Sequence, residues 1–142
     1  MFEGFERHDV ETEGATIASF VGGSGPPLLL LHGYPQTHVA WHRIAPVLAR
    51  DYTVVATDLR RYGDSRGPQH VDASAYSKRT MARDQLAVMK QFGFDRFAVI
   101  GHDRGARVGY RLALDHPGAV QAFVSLTVIP TSEVWARAGR DF

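Results

Sequence analysis

Phe97-Ala98-Val99-Ile100-Gly101-His102-Asp103-Arg104-Gly105-Ala106-Arg107 is the stretch on which the fold turns. Four apolar or β-prone residues run into a glycine. An acid follows two positions later, and a second glycine two positions after that. Val108, Tyr110, Leu112, Ala113 and Leu114 then continue at helical spacing. The pattern predicts a strand, a very tight turn and a helix, with the G-x-S-x-G spacing of a nucleophile elbow and aspartate in the serine place. Gly101 and Gly105 suit a turn in which strand and helix backbones nearly touch, because neither has a Cβ to collide. The side chain between them, Asp103, is then presented at the carboxyl end of the strand, where open α/β sheets display their reactive groups.

Aspartate at that position changes the chemistry. A serine needs a base before it attacks, whereas a carboxylate, with an unperturbed pKa of about 3.9, is ionised at neutral pH. It can attack an electrophilic carbon directly and form an ester with the protein. The plainer role for Asp103 is to cap the following helix, but a cap has no need of glycine on both sides. Arg104 and Arg107 lie three apart and share one helix face. Two guanidiniums at a helix N-terminus, with the free N–H groups there, make a carboxylate receptor and hold Asp103 ionised. The plainer role for the arginines is a solvated helix surface.

Outward from the elbow, the chain alternates. Phe5 to Thr12 and Ala15 to Val21 flank Glu13-Gly14 and predict two strands joined by a tight turn. Leu28 to His32 is a continuous apolar run, as expected of a strand buried on both faces. Trp41, Ile44, Ala45, Leu48 and Ala49 repeat at helical spacing, and Tyr52 to Thr57 is the next strand. A polar loop, Asp58 to Pro68, precedes a helix from about Tyr76 to Phe92 that Gly93 terminates. The helix after the elbow ends at His116-Pro117-Gly118, and Val120 to Leu126 is a further strand. Strands alternating with helices predict a mostly parallel sheet with right-handed crossovers. Ile129-Pro130-Thr131 and a polar tail to Phe142 complete the sequence.

Gly101-His102-Asp103-Arg104-Gly105-Ala106-Arg107, together with His32-Gly33-Tyr34-Pro35-Gln36-Thr37, closely resembles the haloacetate (fluoroacetate) dehalogenases of the α/β-hydrolase superfamily, from about Gly14 to about Thr131. The elbow alone is shared with haloalkane dehalogenases and epoxide hydrolases; the two arginines are the narrower signal. The resemblance implies an α/β-hydrolase fold in which Asp103 displaces halide from the α-carbon and Arg104 and Arg107 hold the substrate's carboxylate. The N–H groups of Tyr34 and Arg104 would form the oxyanion hole for hydrolysis of the ester. His32, Gly33, Gly101 and Gly105 belong to the motifs as structural residues. The resemblance implies a small haloacetate substrate and no cofactor or metal.

The family also uses a histidine base late in the chain and an acid after the sixth strand; nothing here matches the histidine, and Thr127 stands where the acid is expected. The sequence therefore reads as the N-terminal part of a single α/β-hydrolase domain over residues 1–142, without cap or later strands. Residues 58–65 match a structural loop of the family, with Arg61 where many relatives carry glycine. If that position requires positive φ, the loop must differ locally. An epoxide hydrolase or haloalkane dehalogenase of the same superfamily is the alternative, and a fragment without turnover is another.

Composition narrows the field further. Sixteen basic against fifteen acidic residues leave a formal charge of +1, which gives no reason to propose nucleic acid or an anionic membrane as partner. There is no cysteine, so disulfide and thiolate chemistry are excluded. The longest aliphatic run, Leu28 to Leu31, is too short to span a bilayer. Residues 1–6 lack the basic and apolar regions of a secretory leader, so a cytoplasmic location is expected. His38 and His42 lie four apart on an expected helix, a spacing that can ligate metal, but no acid or cysteine set accompanies them. His102 reads as a packing residue, while His8, His70 and His116 fall in loop or terminal contexts. A last strand with no neighbour leaves a sheet edge open, so self-association, in the simplest case a homodimer, is expected.

Overall fold

The computed structural model describes residues 2–69, 73–130, 132, 133 and 136. The reading of His70 and most of the polar tail lie outside the described residues. Six strands form one sheet: β1 (Phe5–Thr12), β2 (Ala15–Gly22), β3 (Pro27–Leu31), β4 (Thr53–Thr57), β5 (Phe97–His102) and β6 (Val120–Leu126). Their order across the sheet is β1-β2-β4-β3-β5-β6. The β1–β2 and β2–β4 pairs are antiparallel, and β4, β3, β5 and β6 run parallel. The expected mostly parallel sheet is therefore present, led by an antiparallel hairpin.

Among the described residues three α-helices cover it: α1 (Ala45–Leu48), α2 (Lys78–Gln91) and α3 (Arg104–Asp115). Alternation along β3 divides the core in two. Leu29 and Leu31 face one side, where they meet Val55, Val99, Met89, Val108 and Leu112 beneath α2 and α3. Leu28 and Leu30 face the other, against Trp41, Ala45, Val54 and Ala56. A strand that feeds both layers has no polar face to spare, which is why the run reads as unbroken leucine.

One expected helix is not continuous. The residues around Trp41 to Ala49 form a 3-10 turn, His38–Trp41, and then the single turn of α1. Pro46 accounts for the break. It has no N–H to donate back and its ring would strike the carbonyl four residues earlier, so Pro46 fits the first turn of a helix that begins at Ala45 but not the middle of a longer one. By contrast α2 is one helix, opened by Ser77, whose side chain accepts from the Thr80 N–H at 3.1 Å.

The loop after β4 is fastened by a buried ion pair. Arg60 donates from Nε and Nη2 to the two oxygens of Asp84, each at 2.8 Å, and to the carbonyls of Ala75 and Glu13 at 3.0 and 2.9 Å. Arg61 next to it has φ 62, so the position does take the left-handed conformation. The loop is not rearranged to spare the arginine, as the sequence suggested it would be; the surrounding anchors impose the conformation and the arginine bears its cost. No helix among the described residues is long and apolar enough to cross a membrane.

Candidate active site

The chain reverses from β5 into α3 at Asp103, whose φ of 48 and ψ of −115 lie far from ordinary backbone basins. The neighbouring glycines make this bend feasible. A Cβ on Gly101 would lie 2.6 Å from the Ala106 Cα, and one on Gly105 would lie 2.2 Å from the Leu31 carbonyl oxygen. Both obstacles are backbone, so no rotamer change relieves them. Asp103 occupies the N-cap position of α3 but makes no side-chain capping hydrogen bond. Its Oδ2 accepts instead from the Tyr34 N–H at 3.0 Å, in the loop after β3.

That link depends on sheet order. β3 and β5 are adjacent and parallel, while the chain goes from β3 to β4 on one side and from β4 across to β5 on the other. The carboxyl ends of β3 and β5 therefore meet at the point where the strand order reverses, the crevice in which such sheets bind ligands. Gly33 brings the two loops close: a Cβ there would lie 2.7 Å from the Cβ of Asp103.

Asp103 is half-buried and held below the usual carboxylate range. The hydrogen bond from the Tyr34 N–H is the largest cause; partial burial opposes it, and the Arg104 N–H and the charges of His102 and Arg107 reinforce it. Tyr34, Lys78, Asp103, Arg104 and Arg107 line an open cleft of about 590 Å³. The elbow's spacing puts Asp103, Arg104 and Arg107 together and the family resemblance adds the Tyr34 N–H; all four lie at this cleft. Arg104 is further tethered, with Nη1 donating to the Tyr62 hydroxyl at 2.8 Å and Cζ lying 4.6 Å from the Tyr34 ring centroid.

Lys78 was missed in the sequence. It lines the same cleft as the first residue of α2, where a cation opposes the helix dipole. That unfavourable placement, directly after a capping serine, was the available signal. The histidines take other places. His32 is wholly buried; its Nε2 accepts the Leu59 N–H at 2.9 Å, which fixes Nδ1 as the donor to the Gly33 carbonyl at 2.8 Å. Burial lowers its pKa. His102 pairs Nδ1 with Gln36 Oε1 at 3.0 Å.

His38 sits on the 3-10 turn, bound to Asp58 at 2.9 Å and stacked on Phe20, while His42 turns to the Val39 carbonyl; the two do not converge. Asp58 is buried and accepts from His38 and from the Asp64 N–H, and Asp64 pairs with Arg7, so both acids serve the loop. No group of three or more metal-ligating residues occurs among the described residues.

A carboxylate on a strand–turn–helix bend, at the switch point of a mostly parallel sheet, has the geometry of a nucleophile elbow. The family model for the alpha/beta hydrolase fold matches residues 26–141, and the chain belongs to that family. It is 52% identical to a fluoroacetate dehalogenase from Burkholderia over 99% of this chain and 46% of the relative. It is 39% identical to a soluble epoxide hydrolase from Corynebacterium, over 87% of this chain and 42% of that protein. A solved structure of a provisionally assigned epoxide hydrolase from Pseudomonas aeruginosa superposes with a TM-score of 0.89 at 64% identity, over 95% of this chain and 45% of that one. The chain thus spans about half the length of the relatives it matches.

Proposed function

We propose that this chain carries the nucleophile and the acid-binding elements of a hydrolytic dehalogenase of small 2-haloacids such as fluoroacetate. The observation that carries the reading is an ionised aspartate on the elbow, facing a cleft lined otherwise by cations and a tyrosine. A haloacid brings its own negative charge toward Asp103. Two unit charges 4 Å apart repel by about 4 kcal/mol at an effective dielectric near 20. Arg104 and Arg107 offset that repulsion and aim the α-carbon at the carboxylate.

The chemistry follows from which oxygen is free. Oδ2 is engaged by the Tyr34 N–H, so Oδ1 is the oxygen left to attack. It forms a C–O bond to the α-carbon as the carbon–halogen bond breaks and halide departs with the electron pair. Water then adds to the ester carbonyl, and the negative charge develops on the oxygen beside the Tyr34 and Arg104 N–H groups. Collapse frees the hydroxy acid and restores the carboxylate. Activating that water calls for a base, and no histidine lines the cleft among the described residues. In this reading the base is a histidine elsewhere in the protein. Thr127, just after β6, holds the position of its acid and has φ 65, unusual for a β-branched residue.

The second reading is an epoxide hydrolase, favoured by the likeness to the Corynebacterium enzyme. The cationic cleft argues against it, because a neutral epoxide needs no clamp. Halide release from fluoroacetate, set against diol formation from an epoxide, separates the two in the full protein. These 142 residues alone would be alkylated once by bromoacetate and stop; peptide mass spectrometry should place the adduct on Asp103, and an adduct elsewhere removes the nucleophile assignment.

A further inference from the structure

We infer that Lys78 is a third anion-binding cation of this cleft, seating the carboxylate of a short α-halo acid alongside Arg104 and Arg107 and thereby selecting acids over neutral halides. The inference rests on the dehalogenase reading and extends it. The cleft assembles three cations around one carboxylate. None of Lys78, Arg104 and Arg107 lies within 4.0 Å of a carboxylate among the described residues, although four other arginines, Arg7, Arg60, Arg79 and Arg111, do. The site therefore sets three cations against the single carboxylate of Asp103, a net excess of positive charge.

Lys78 pays for its position three times. It sits at the start of α2, against the helix dipole. Its half-buried ammonium loses hydration, and Arg104 and Arg107 repel it; all of this favours the neutral amine, with Asp103 alone pulling the other way. Its hydrogen-bond contact among the described residues is a weak one from Nζ to Met81 Sδ at 3.8 Å. A bound anion would stabilise the charged ammonium against all three. The arginines also leave it work to do. Arg104 has one arm committed to Tyr62 and its plane over Tyr34. Lysine, a compact charge on a flexible stem, can follow a substrate carboxylate that a tethered guanidinium cannot.

The competing role is packing, with the lysine stem covering the buried Met81. Lys78→Met keeps the stem and removes the charge. Bromoacetate and bromoacetamide, alike in size and leaving group, then report the charge alone when labelling of Asp103 is followed in the full protein. We expect Lys78→Met to slow bromoacetate by about tenfold, as befits a charge-assisted contact in a half-open site. Bromoacetamide should be unchanged, and Lys78→Arg should restore most of the bromoacetate rate. Equal changes for both probes, or none, overturn the inference. Should the wild-type protein not label at Asp103, the nucleophile reading fails separately. Calorimetric binding of acetate then decides Lys78: weaker binding in Lys78→Met sustains it, and equal binding or none in both proteins refutes it. Should Lys78→Met melt early, Lys78→Gln takes its place.

Discussion

Replacing Asp84 with alanine should cost this protein about 3–5 kcal/mol, because it strands a buried guanidinium. Arg60 and Asp84 are 3% and 2% exposed. Asp84 accepts two bonds from Arg60 and a third from the Thr12 hydroxyl at 2.7 Å. Its removal leaves Arg60 with only the carbonyls of Glu13 and Ala75, which satisfy donors but not charge. Removing both partners is milder. Arg60→Leu with Asp84→Leu eliminates the stranded charge and leaves two carbonyls short of a partner, while the Thr12 hydroxyl keeps the Ala15 carbonyl, for a net loss of about 1–2 kcal/mol.

Urea unfolding followed by circular dichroism measures Asp84→Ala and, for the cycle, Arg60→Leu, Asp84→Leu and the double variant. At about 2–4 °C per kcal/mol, Asp84→Ala should also lower the melting temperature by roughly 10 °C. The cycle should yield a coupling of at least about 2 kcal/mol between the two residues. A coupling below about 0.5 kcal/mol would mean that the pair is not the anchor of the loop carrying Tyr62 to Arg104, and the account of how that arginine is held would fail with it.

Other outcomes are expected. His32 has a folded pKa below its unfolded value near 6.5, so its contribution to stability is complete above that pH and is lost as pH falls toward the folded value. The urea midpoint should drop between pH 7.5 and 5.5 with most of this slope absent in His32→Gln; a flat profile in the wild-type protein contradicts the buried neutral tautomer. Asp58 and Asp103, both lowered, add to acid lability only at more acidic pH. Arg61→Gly should raise stability by about 0.5–1 kcal/mol, since release of the left-handed strain outweighs the added freedom of the unfolded chain, and a loss would show that the arginine side chain holds the loop. β6 lies at the end of the sheet and exposes Val124 and Leu126, so these 142 residues should self-associate in sedimentation experiments and do so less with Val124→Lys; a monomer at high concentration argues that the edge is protected.

The order of strands and helices was legible because each is a local pattern. Leu28 to Leu31 can only be a strand buried twice over, and the glycines at 101 and 105 announce backbone contact before any coordinate is known. The same pair, with two arginines three apart, located Asp103 and its cationic surroundings. Sequence reading went astray where competing local signals were of similar strength. The apolar spacing around Trp41 suggested a full helix, and Pro46 divided it. At Arg61 the tertiary anchors on either side outweighed an arginine's preference for negative φ.

The bend and the kind of side chain it presents follow from residues adjacent in the chain, so both are written in the primary structure. Which groups that side chain meets depends on how distant elements pack. Tyr34 reaches Asp103 because β3 and β5 are neighbours, and Lys78 arrives from the start of a helix 25 residues earlier in the chain because α2 and α3 pack on the same face. Hydrophobic burial is not directional, and it chooses a packing of whole elements rather than of single residues. The charges carried on those elements are brought together only once the sheet has formed.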